Sequence, residues 1–174
     1  DLLRALGAAR GLAAEAVAPV LDERGEVVSS SRIRAALMAG DCATATRLLT
    51  RPFAIQGEVV HGDKLGRTIG FPTTNMLLDH YLGPAYAIYA VTVRLADGRV
   101  IGGAANLGIR PSFDPPKELL ETYLFDFSGN LYGETIEVSL IQRLRGEAKF
   151  DSLDALVKQM DLDVAQARGI VGQG

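Results

Sequence analysis

The 174-residue sequence predicts a mainly β protein. A small antiparallel, Greek-key-like β-barrel with a C-terminal helix packed on it is expected over residues 51–174, after a helical fragment of an α/β domain over residues 1–50. Three observations carry this expectation. Composition changes near residue 50, from Ala-rich and helical to β-branched and aromatic. Five strand-like segments then follow, linked mostly by hairpin signals, the pattern of a small antiparallel barrel. A last apolar stripe recurs at helical spacing.

In the first fifty residues, Leu2, Leu3 and Leu6 mark a short helix, and Val17–Leu21 and Glu26–Ser29 read as short strands. Ser29 can cap the free N–H groups of a helix that stops at Gly40, and Asp41 can cap another through Leu49. These pieces bury too little alone, so they read as the tail of an α/β domain lying upstream. Phe53–Val60 is the first barrel strand. Ala87–Leu95 is the second, and Asp97-Gly98 turns it tightly into Val100–Asn106. Leu119–Phe127 follows, and Ser128-Gly-Asn130 turns it into Glu134–Ile141. Asp151-Ser-Leu-Asp154 opens a helix whose Leu153, Leu156, Val157, Met160, Val164 and Ala167 face the barrel.

Composition excludes several function classes. Hydrophobic residues make up 48% and charged ones 22%, so wholesale disorder is out. The net charge of −3 with no Trp argues against a general nucleic-acid binder, which needs clustered Lys and Arg. No apolar run reaches the ~20 residues of a membrane-spanning helix. Cys42 is the single cysteine, so no intrachain disulfide forms, and with His61 and His80 it offers too few ligands for structural zinc. The expected compartment is the cytoplasm. Asp1-Leu-Leu-Arg is not a signal peptide.

The segment His61–Asn75 holds Gly62, Gly66 and Gly70 with Lys64 and Arg67, a combination that admits phosphate. It is not a true phosphate-binding loop of the Gly-Lys-Ser/Thr type. The spacing is one residue short, and Phe71-Pro72 blocks the helix that must follow. On glycines and charges alone, which are weak signals, it reads more readily as a flexible hairpin loop. The hydroxyl and amide oxygens of Thr73, Thr74 and Asn75 are hard ligands suited to Mg²⁺ beside phosphate, although a proline-initiated turn explains them too.

Gly66-Arg-x-x-Gly-Phe-Pro-Thr-Thr-Asn75 resembles the Gly-x-Pro-Thr-Ala-Asn signature of the riboflavin kinases. The resemblance continues through Gly83–Tyr89, Asn106–Phe113, Glu121–Phe127, Leu131-Tyr-Gly133 and Leu144–Asp151. Each block is weak, but together and in order they are specific. Upstream, Val28–Arg34, Gly40-Asp41 and Leu48–Phe53 resemble the junction in bacterial bifunctional riboflavin kinase/FMN adenylyltransferases. There the Ser-Ser-x-x-Ile-Arg segment helps bind ATP in the adenylyltransferase site. That domain's paired-histidine motif is absent from this sequence. Residues 1–50 are therefore expected to be a C-terminal remnant of an adenylyltransferase domain, and FMN but not FAD is the expected product.

The resemblance implies ATP-dependent phosphorylation of riboflavin to FMN, with Mg²⁺ as cofactor and no nucleic-acid or membrane partner. It assigns ATP phosphates to Gly62, Lys64, Arg67, Thr73 and Asn75, and Mg²⁺ to Thr73 and Asn75. Glu121 becomes the base for the ribityl 5′-hydroxyl. Tyr123, Arg145, Glu147 and Phe150 become flavin contacts, the last three in a loop before the final helix. Alternation along the strand puts Tyr123 on the same face as Glu121. Thr74, Tyr123 and Gly146 depart from the usual Ala, His and Asp. The alternative is a non-catalytic flavin- or nucleotide-binding barrel, which needs neither metal ligands nor a base.

Overall fold

The computed structural model describes residues 2–62, 66, 69–78, 83–110 and 117–172. Three helices come first: α1 (Leu2–Ala8), α2 (Ser30–Ala39) and α3 (Cys42–Leu49). The strands β1 (Phe53–Glu58), β2 (Thr73–Leu77), β3 (Ala87–Arg94), β4 (Val100–Arg110), β5 (Lys117–Leu124) and β6 (Thr135–Gly146) follow, then helix α4 (Leu153–Val171). The caps expected from sequence close these helices. Ser29 accepts from Arg32 N, Asp41 from Thr44 N, and Ser152 from Ala155 N. Gly40 ends α2 at φ 74°, a left-handed conformation that costs glycine little.

All strand pairs are antiparallel, in the order β1-β6-β3-β4-β5-β2. Within it, β3, β4 and β5 form a meander and β6 returns beside β3, which is a Greek key. The outer strands β1 and β2 meet through a bridge between Val60 and Asn75, so the sheet curls into a barrel. Alternating residues fill the interior: Ile55, Met76, Tyr89, Val91, Val93, Leu107, Leu120, Val138 and Leu140 are all buried. Burying each such side chain stabilises the fold by about 1.5–3 kcal/mol. The outer face of the same sheet carries α4, where Ala90 and Ala167 pack with Leu144 and Val164. Helices α2 and α3 pack Ala36, Leu37 and Ala45 on one another and against Phe53 at the start of β1.

The structure corrects the sequence reading in three places. Thr73–Leu77, read as the end of a loop, is a sixth strand paired with β5 from Thr73↔Tyr123 to Leu77↔Leu119. Val17–Leu21 and Glu26–Ser29 form no strands, only the bridge Leu21–Val27. Arg145 lies on β6 rather than in a loop, because that strand runs on to Gly146. Two bulges make this longer strand fit. Opposite β3 the register skips Leu144 and Ile141, and such insertions re-aim neighbouring side chains. Helix α1 has no buried residue. Among the described residues, no helix is long and apolar enough to cross a membrane.

Candidate active site

One row of paired residues crosses five strands on the outer face of the sheet. Asn75 of β2 pairs with Glu121 of β5, and Glu121 with Asn106 of β4. Asn106 pairs with Ile88 of β3, and Ile88 with Arg145 of β6. Directly paired residues share a face, with Cβ atoms about 5 Å apart. All five line a cavity of about 530 Å³ between the sheet and α4. The site therefore lies outside the barrel core, beneath the helix. Thr73 and Tyr123, paired two residues along, complete its floor, and Glu147 and Phe150 close one side.

Seven of the residues expected from sequence thus meet in one cavity: Thr73, Asn75, Glu121, Tyr123, Arg145, Glu147 and Phe150. Tyr123 shares the Glu121 face, as alternation requires, and its ring meets Phe71 edge-on with centroids 5.3 Å apart. Thr74 faces the other way, with its hydroxyl donating to the Thr122 carbonyl at 3.3 Å. Gly62 stands behind Asn75: a Cβ there would come within 2.6 Å of the Asn75 amide nitrogen. Only glycine allows so close an approach to a buried side chain. Lys64, Arg67 and His80 lie outside the described residues. His61 is exposed, stacked on Tyr132. Burial pushes the Cys42 thiol above its ordinary pKa, which suits a packing residue at the start of α3.

Two polar residues of the site were not singled out from sequence. Asp163 of α4 is 5% exposed, and its carboxylate accepts from Arg145 Nε at 2.9 Å and Nη2 at 2.6 Å. Gln159 Nε2 donates to the same carboxylate at 2.9 Å. Asn106 is the other. Its Oδ1 is buried without a hydrogen-bond partner among the described residues, as is Asn75 Oδ1. These two oxygens stand on either side of Glu121. An aspartate in a helix usually reads as solvated, and the register that sets Asn106 beside Glu121 is a tertiary fact.

The profile of the family described as flavokinase, riboflavin kinase, matches residues 49–171. The chain belongs to the riboflavin kinase family. A bifunctional riboflavin kinase/FMN adenylyltransferase from Haemophilus influenzae is 47% identical over 81% of this chain and 46% of that protein. One from Pseudomonas fluorescens is 42% identical over 98% of this chain and 54% of that protein. The chain spans about half the length of the curated relatives it matches. A crystal structure described as a macrolide-efflux protein from Streptococcus pneumoniae superimposes with a TM-score of 0.76 at 41% identity. The superposition covers 84% of this chain and 48% of that one. Every residue of the cross-strand row falls within the part matched by the riboflavin kinase profile.

Proposed function

We propose that this riboflavin kinase domain transfers the γ-phosphoryl group of ATP to the 5′-hydroxyl of riboflavin's ribityl chain, giving FMN and ADP. The observation that carries the reading is Glu121 in the wall of the cavity, between the unpartnered amide oxygens of Asn75 and Asn106. Phosphoryl transfer asks the protein mainly to position the partners and to balance charge. Glu121 accepts the proton of the attacking hydroxyl, which needs a carboxylate within hydrogen-bond reach. Gly62, Lys64, Arg67, Thr73 and Asn75 hold the ATP phosphates. Arg145, Glu147 and Phe150 hold the flavin at the other end of the row, and Tyr123, beside Glu121 on β5, adds a flavin contact nearer the reacting hydroxyl.

Mg²⁺ fits this donor set. Thr73 and Asn75 lie two apart on one face of β2, and the buried Asn75 Oδ1 lacks a hydrogen-bond partner among the described residues. Among the described residues no three His, Cys, Asp or Glu side chains cluster for a metal. Two neutral oxygens make a weak site alone, so phosphate oxygens and water would have to supply further ligands. When bound, the ion neutralises charge on the transferring phosphate. We place the reaction in the cytoplasm. We also propose that, in a longer polypeptide like the relatives, FMN made here is adenylylated to FAD by the second activity their names carry.

Incubation with riboflavin, ATP and Mg²⁺, followed by chromatographic separation of riboflavin, FMN and FAD, tests the reading. FMN is the expected product. A folded protein that forms no FMN contradicts it and favours a non-catalytic flavin-binding barrel.

A further inference from the structure

We infer that Asn106 positions the substrate by accepting a hydrogen bond at Oδ1 from the ribityl hydroxyl next to the reacting one. The inference rests on the riboflavin kinase reading but assigns a residue which that reading leaves without a role. Buried polar atoms almost always have partners, so an exception on a cavity wall calls for one. Three such atoms occur among the described residues: Asn75 Oδ1, Asn106 Oδ1 and Thr122 Oγ1. Thr122 alternates onto the interior face with Leu120 and Leu124, away from the cavity. Asn75 is accounted for by phosphate and metal. Asn106 remains.

Its place in the row fixes which ligand atom it meets. The order is Asn75, Glu121, Asn106, Ile88, Arg145. With the phosphates at the Asn75 end and the flavin ring at the Arg145–Phe150 end, the ribityl chain runs from Glu121 across Asn106. Strands are about 4.8 Å apart, so Glu121 and Arg145 are separated by roughly 14 Å, enough for the chain and the near part of the ring. A 5′-hydroxyl on Glu121 puts its vicinal neighbour, the 4′-hydroxyl, one strand closer to the ring, against Asn106. The next position, Ile88, is apolar, as suits the start of the ring system.

The test is a cycle of two changes. FMN-type product formation is measured for wild type and Asn106→Leu, each with riboflavin and with 4′-deoxyriboflavin. Binding of both flavins is followed in parallel by quenching of flavin fluorescence. A neutral hydrogen bond is worth about 1 kcal/mol, so removing the 4′-hydroxyl should lower wild-type kcat/KM and affinity about 5- to 10-fold. In Asn106→Leu the same removal should cost less than about 2-fold. Asn106→Ala, smaller and free of overpacking, should show the same insensitivity, and its thermal unfolding reports the fold. Equal penalties in wild type and both variants overturn the contact, while FMN formation still upholds the kinase reading. Discrimination in binding without any FMN overturns the kinase reading and keeps the contact.

Discussion

Arg145 and Asp163 join β6 to α4 through a two-point ion pair, Nε and Nη2 each donating to the carboxylate at 3.1 Å or less. The carboxylate is 7% exposed and the guanidinium 24%. The pair holds the helix down over the cavity, and Arg145 also lies 5.7 Å from the Phe150 ring centre. The anchor of the helix and a wall of the cavity are thus one contact.

Removing the carboxylate leaves a mostly buried, uncompensated guanidinium. Asp163→Ala should cost about 3 kcal/mol. For a chain of this length that lowers Tm by roughly 6–12 °C, readable by scanning calorimetry. On the proposed reading Arg145 borders the flavin rather than the phosphates, so KM for riboflavin should rise more than kcat falls. An unchanged Tm would show that the pair holds nothing.

Thr73 and Thr74 are neighbours with opposite faces. Thr73 lines the cavity, whereas Thr74 bonds to the Thr122 carbonyl. Thr73→Ala should therefore lower turnover substantially. Thr74→Ala should leave turnover near wild type and cost about 1 kcal/mol of stability at most. Titration calorimetry should find weak Mg²⁺ binding alone and tighter binding with ADP, and only Thr73→Ala should weaken the latter. Tight Mg²⁺ binding without nucleotide would contradict a two-oxygen site.

Asp22 accepts from Arg47 at 2.8 Å and from Arg32 at 3.1 Å. Hydrogen bonds from Arg47, the Glu26 backbone and Arg32 hold its carboxyl well below the usual range. In the unfolded chain it takes up a proton near pH 4, while in the folded chain it resists. Its contribution is therefore present above about pH 4 and lost as pH falls toward the folded value. Urea unfolding of wild type and Asp22→Asn should show a stability gap at pH 7 that narrows below about pH 4. A gap independent of pH between 7 and 3 would contradict the linkage.

What the sequence disclosed follows from how local each signal is. Ser29, Gly40, Asp41, Gly98 and Ser152 act within a few residues, so their helix ends and hairpin were legible. Strand β2 was not, because Pro72-Thr-Thr-Asn75 is polar and short and becomes a strand only by pairing with β5. The faces of Glu121 and Tyr123 followed from alternation alone. Asp163 gave no sign, since its partner lies 18 residues away on another element. Asn106 sat in a recognised block, yet its neighbour across the sheet depends on register, which no single strand reveals.

The most direct test of the account is FMN formation by Glu121→Gln, which keeps the shape of the side chain and removes the base. General-base catalysis contributes about 10²–10⁴-fold, so kcat should fall by that factor. Riboflavin affinity, measured by flavin fluorescence, should stay close to wild type. A Gln variant that forms FMN at a near-normal rate would remove Glu121 from the mechanism and contradict the account.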